Sequence, residues 1–108
     1  MNEAQFNAAA DETLARLEEA LAASELDYEV KPGGVLELEF EDGSRIIVNR
    51  HAAAREIWVA ARSGGFHFAP RDGPWLDTRS GEELFASIAR LASEQAGRNV
   101  GLGGQPTA

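Results

Sequence analysis

No cysteine occurs in the sequence, which excludes disulfides, thiolate nucleophiles, zinc ribbons and cysteine-held clusters. No apolar run approaches the ~18 residues that a membrane-spanning helix needs. The amino terminus shows no basic n-region, apolar h-region or Arg-rich presequence; Met1 runs straight into an acidic helical pattern. A soluble cytoplasmic protein with no membrane partner is therefore expected. There is no basic patch to displace counterions from phosphates, which argues against nucleic acid. Neither histidine stands with a serine in a nucleophile–base setting, no facial His-His-carboxylate set is present, and Gly64-Gly65 reads as a turn rather than a phosphate loop. Catalysis is not expected of such a chain.

Negative charge is what the sequence has in excess. Its 108 residues carry 18 acidic and 10 basic side chains, a net charge of −8. Residues 1–42 hold twelve of the acids and two of the bases, so the remainder is slightly cationic. The asymmetry points to a cationic partner, either metal ions or a basic protein surface. The bland alternative is that the acids only keep a small protein soluble. The length suits one domain that folds around a single core without staples.

The central stretch, Gly34–Phe68, reads as a meander of antiparallel strands. Leu36, Leu38 and Phe40 alternate with Glu37 and Glu39, the period of a strand with one buried and one wet face. Asp42-Gly43 marks a hairpin turn. The next strand, Arg45–Asn49, turns Ile46 and Val48 one way and Arg45, Ile47 and Asn49 the other. A loop from Asn49 through His51 leads to a third strand over Arg55–Arg62, where Ile57, Val59 and Ala61 oppose Glu56, Trp58, Ala60 and Arg62. If Glu56 and Arg62 are wet, Trp58 is wet with them. Such an indole is either a docking residue or is covered by the carboxyl-terminal tail or a self-contact. Gly65–Phe68 gives a further strand with Phe66 and Phe68 inward and His67 outward, and Trp75-Leu76-Asp77 a last one. His51 and His67 are both expected at the surface; Trp75 and Phe85 are expected in the core.

Helices flank the meander. Phe6, Ala10, Leu14, Leu17 and Leu21 recur at helical spacing over residues 2–22, and the carboxylates of this segment fall along one flank. Asp27–Lys31 starts the sheet with Tyr28 and Val30 expected inward and Asp27 and Glu29 outward. Ser80 is the expected N-cap of a second helix, with Glu83 at the capping-box position. Its stripe is Leu84, Phe85, Ile88, Leu91 and Ala92, and Gly97 stops it. Val100 and Leu102 are expected along a groove, in a Gly-rich tail over 98–108 whose end is expected to be disordered. The fold class is thus α+β: a two-layer sandwich with an antiparallel sheet of five or six strands, both terminal helices on one face, and a single domain over 1–97.

Gly33-Gly34-Val35-Leu36, Asp42-Gly43-Ser44, Ile46-Ile47-Val48-Asn49-Arg50, Ile57-Trp58-Val59-Ala60, Gly64-Gly65-Phe66-His67-Phe68, Trp75-Leu76 and Arg79-Ser80-Gly81-Glu82 occur in this order. With these motifs the chain resembles the frataxin family in its bacterial form. The resemblance implies a regulator of iron–sulfur cluster assembly that binds ferrous and ferric iron weakly and reversibly. It also implies docking on the cysteine desulfurase and its scaffold protein, and a monomer in the absence of iron. Carried over by position, the iron-binding ridge is Glu3, Asp11, Glu18, Glu19, Glu25, Asp27 and Glu29. The partner-binding residues are Glu18, Glu19, Asn49, Trp58 and His67. Ala22 and Ala23 stand where the bacterial ridge often continues with acids, and Glu56 where relatives carry Gln.

Exposed carboxylates are hard ligands that suit hard cations, but without His or Cys they do not form a rigid cage, so weak multi-site binding is expected. Two alternatives remain beside the regulator. One is an iron chaperone or store that donates iron to cluster assembly; the other is an acidic adaptor of the desulfurase that works without metal. A weak ferroxidase activity, attached to parts of the family, is treated as secondary.

Overall fold

The structure is a computed structural model that describes residues 1–102. The chain runs α1 (Glu3–Ala23), β1 (Asp27–Lys31), β2 (Val35–Glu39), β3 (Arg45–His51), β4 (Glu56–Ala61), β5 (Gly64–Pro70), β6 (Trp75–Asp77) and α2 (Leu84–Ala96). The six strands form one antiparallel sheet in sequence order, β1-β2-β3-β4-β5-β6. The expected sandwich is the one observed, with the sheet at the upper end of its strand count.

Local chemistry accounts for each element. Asn2 caps α1 by accepting from the Gln5 N–H, while the Gln5 side chain returns a bond to the Asn2 N–H, which satisfies two otherwise orphaned donors. The stripe Phe6, Ala10, Leu14, Leu17 and Leu21 is buried along its whole length. At the β2–β3 hairpin Gly43 takes a left-handed φ of 84°, and the Asp42 Oδ1 accepts the Ser44 N–H and hydroxyl. Gln95 on α2 ties that hairpin to the helical layer: its Nε2 donates to Ser44 Oγ and the Arg45 carbonyl, and its Oε1 accepts the Arg62 N–H. The inward residues Leu36, Leu38, Ile46, Val48, Ile57, Val59 and Phe68 share one buried cluster with the stripes of both helices. Both helices therefore cover the same face. Trp75 and Phe85 lie in this core as expected, Trp75 edge-on to Phe6 at 5.8 Å.

Val100 and Leu102 are buried in the same cluster, and the Ser93 hydroxyl holds the segment by accepting the Val100 N–H. The expected disorder of the tail concerns 103–108, which lie outside the described residues. Among the described residues no helix is long and apolar enough to cross a membrane.

Three local expectations are corrected. Val30 is 52% exposed rather than inward, because it lies at the turn end of the outermost strand, beyond the cover that half-buries Tyr28. The N-cap of α2 is Glu83, not Ser80: its carboxylate accepts the Phe85 and Ala86 N–H groups. The preceding residues are drawn to the sheet instead, with Asp77 N–H donating to the Glu82 carbonyl and Gly81 left-handed at 78°. His51 is half-buried within β3 rather than exposed in a loop.

Candidate functional site

Two surfaces carry the candidate residues. The first is the acidic margin formed by α1 and β1. Glu3, Asp11, Glu19, Glu25, Asp27 and Glu29 are exposed, and Glu18 is half-buried. Along α1 the acids are spread out: at a rise of about 1.5 Å per residue, Glu3 stands roughly 22 Å from Glu18. Glu3 therefore shares no site with the carboxylates at the other end. Asp11 is engaged by Arg50 at 2.5 Å, and Glu29 by Lys31 at 3.1 Å. The Glu29 carboxylate, through its hydrogen bond first and its charge second, raises the Lys31 ammonium above its usual range. Glu18, Glu19, Glu25 and Asp27 have no cationic partner among the described residues.

The register of the first hairpin adds two acids that sequence reasoning left out of the ridge. Asp27 stands opposite Glu39 and Glu29 opposite Glu37, and these four side chains line one shallow cleft with Tyr28. Like charges directly opposed on a sheet face repel. Arg45 on β3 relieves part of that repulsion, bonding Glu37 and Glu39 at 3.4 Å each. Strand alternation plus the Pro32-Gly33-Gly34 turn contained the information needed to pair these residues. A neighbouring cleft brings Glu25, Asp27, Glu39 and Glu41 together with Arg98. No three His, Asp or Glu side chains among the described residues converge as a metal-holding set. The margin can attract and loosely hold a cation or a basic surface; it is not a cage.

The second surface is the open sheet face. Asn49 is exposed on β3 with Trp58 as its cross-strand partner on β4, and Trp58 is in turn paired with His67 on β5. Ile47 lies beside them, 37% exposed. Trp58 points outward as expected but is half-buried. Among the described residues its cover is a self-contact. His51, diagonal to it, stacks on the indole at 3.9 Å between ring centres, and His67, directly opposite, stacks at 4.5 Å, both within 9° of parallel. Glu56 closes the group: its Oε1 accepts the indole N–H at 2.8 Å and lies 3.5 Å from His67 Nδ1. Sequence reasoning missed His51 and Glu56 here. Extending the outward alternation Arg45, Ile47, Asn49 by one step reaches His51, which is the signal that was available.

A family model described as a frataxin-like domain matches residues 1–98. The iron-sulfur cluster assembly protein CyaY of Dechloromonas aromatica is 54% identical over 104 residues, covering 94% of this chain and 99% of the relative. Its counterpart of the same name from Ralstonia nicotianae is 48% identical over 107 residues, covering 94% and 95%. Among solved structures, a frataxin from Psychromonas ingrahamii superposes with a TM-score of 0.84 at 31% identity, covering 94% of this chain and 98% of that one. A trimeric frataxin from the yeast Saccharomyces cerevisiae, complexed with ferrous iron, has a TM-score of 0.64 at 24% identity and covers 91% and 88%; that likeness is one of fold.

Proposed function

The chain belongs to the frataxin-like family, and on that premise we propose that it serves iron–sulfur cluster assembly as an iron-responsive regulator rather than as an enzyme. The names of its bacterial relatives support the role in cluster assembly. Iron is bound weakly and reversibly, as cargo or signal, on the acidic margin. The same margin docks on the basic surface of the cysteine desulfurase, and the open face around Asn49, Trp58 and His67 meets the scaffold protein. The protein works as a monomer when iron is absent, in the bacterial cytoplasm.

The observation that carries this reading is the one-sided array of uncompensated carboxylates, Glu18, Glu19, Glu25 and Asp27, running into the opposed acids of the first hairpin. Such an array acts on cations and basic proteins at a distance and loses strength with salt. Storage of iron is the weaker reading, because among the described residues no three carboxylates converge closely enough to hold one ion.

The test is a desulfurase assay with purified partner, with and without ferrous iron. Iron-dependent modulation of the rate is expected. Cluster gain without a rate change would favour delivery of iron, and iron-independent binding would favour a metal-free adaptor. Reversing charge at Glu18→Lys and Glu19→Lys weakens binding in this scheme. Unchanged affinity at moderate salt would remove the margin from the interface.

A further inference from the structure

The three stacked rings on the open face do more than expose a tryptophan. Both faces of the Trp58 indole are occupied, by His51 on one side and His67 on the other, and its N–H is spent on Glu56. A partner that takes a face of this indole must first move an imidazole. We propose that His51, His67 and Glu56 form a proton-sensitive clamp on Trp58, with His67 as the moving jaw, so that docking through the indole is favoured when His67 is neutral and opposed when it is charged. This regulation rests on the reading of the open face as a docking surface.

The two jaws differ in what holds them. His51 Nδ1 accepts the Ala54 N–H at 3.3 Å, so its imidazole is tied to the β3–β4 turn. Glu56 is its cross-strand partner and Arg55 lies in the same turn, with its guanidinium bonded to the Ala52 carbonyl. His67 has no such tether among the described residues. Its Nδ1 faces the Glu56 carboxylate, and its ring faces the indole. On its other side it borders a cleft of about 370 Å³ shared with Asp77, Arg79, Glu82 and Arg90. Glu82 is bonded to Arg90, and the Asp77 carboxylate accepts backbone N–H groups, which leaves Arg79, among the described residues lining this cleft, as the cation that opposes a charge on His67.

Imidazole changes charge in the range pH 5 to 8. An imidazolium on His67 gains two attractions at once, the face of an indole and a carboxylate within ion-pair distance. Both tighten the jaw on Trp58. The neutral ring retains only stacking and is displaced more easily by an aromatic or apolar group of a partner. The proton therefore competes with the partner for the same indole.

The clamp is tested in the isolated protein first. The Trp58 indole N–H resonance, assigned by its loss in Trp58→Phe, and the tryptophan emission are followed from pH 8 to pH 5.5. Contact with an imidazolium quenches indole emission, so emission falls on acidification in the parent protein. In His67→Gln it stays flat, while His51→Gln retains the fall. Identical profiles in the parent and His67→Gln overturn the clamp. Affinity for the purified desulfurase–scaffold complex is then measured at pH 7.5 and pH 6.0. The dissociation constant is expected to rise at least threefold in the parent and to rise less in His67→Gln; an equal rise in both overturns the regulation. Absence of binding at either pH would defeat the docking surface instead, and the emission profile would still report on the clamp.

Discussion

Arg50 on β3 sets its Nη2 2.5 Å from the Asp11 carboxylate on α1 and aims its Nη1 at the Asn7 side chain. One member of the acidic flank is thus already neutralised by the sheet. Asp11→Ala is expected to leave ferrous-iron binding nearly unchanged, whereas Glu18→Gln with Glu19→Gln weakens it; an NMR titration of each variant separates the two. The stability loss for Asp11→Ala should stay within about 1 kcal/mol, as for other partly exposed ion pairs.

The opposed pairs Asp27–Glu39 and Glu29–Glu37 store repulsion in the folded state. A divalent cation that binds the folded protein and not the unfolded chain raises its stability. The melting temperature is therefore expected to rise with added ferrous iron or calcium. Arg45→Ala should lower the melting temperature without metal and enlarge the rise with it, because Arg45 occupies Glu37 and Glu39. No change of melting temperature with either cation in the parent protein would sink this account.

Glu25 follows the last turn of α1 with a φ of 67°, a left-handed conformation that costs a side-chain-bearing residue about 1–2 kcal/mol. Glu25→Gly should raise stability by roughly 1 kcal/mol in urea unfolding while removing a margin carboxylate. The same variant then binds cations less well though it is more stable, an outcome that contact counting alone does not anticipate.

Trp58 is neither bare nor sealed. Removing the indole from between two imidazoles in Trp58→Ala should cost about 1–2 kcal/mol, the stacking contribution of two ring pairs in a half-buried setting. A loss above about 3 kcal/mol in chemical denaturation would be the behaviour of a core residue.

Acid sensitivity has a separate origin. The Arg90 guanidinium, with the Ser87 hydroxyl, holds the Glu82 carboxyl below its usual range against the opposing effect of burial, and the Ser44 hydroxyl and N–H do the same for Asp42. A carboxyl depressed in the folded state contributes stability above its unfolded pKa, and the contribution is lost as pH falls through the folded value. Stability should therefore decline on acidification below about pH 4. In Glu82→Gln the drop in urea midpoint between pH 5 and pH 3 should be smaller than in the parent.

The inward faces of the strands and both helical stripes were legible because alternation and helical spacing are direct consequences of one-sided burial. Leu36, Ile46, Ile57 and Phe68 on the sheet and Phe6, Leu17, Leu84 and Ile88 on the helices all lie where those periods put them. Periodicity fails where cover ends, as at Val30, and where a loop competes for a cap, as at Ser80. Relations between strands were the harder part. Alternation alone marks Glu37 and Glu39 as wet, but only the ladder shows them facing Glu29 and Asp27. His51 needed both the strand's extra length and a diagonal contact across the ladder to become part of the Trp58 group.

Because every strand pairs only with its neighbour in the chain, the sheet can zip up hairpin by hairpin with small loops to close. Such pairing favours rapid formation of the sheet. The slow event is then the docking of two helices from opposite ends of the chain onto its inner face, where Phe6 meets Trp75. Substitutions at that junction should change the folding rate more than equal losses placed at the outer strand β1, so the molecule's assembly order is written into the simplest property of its topology.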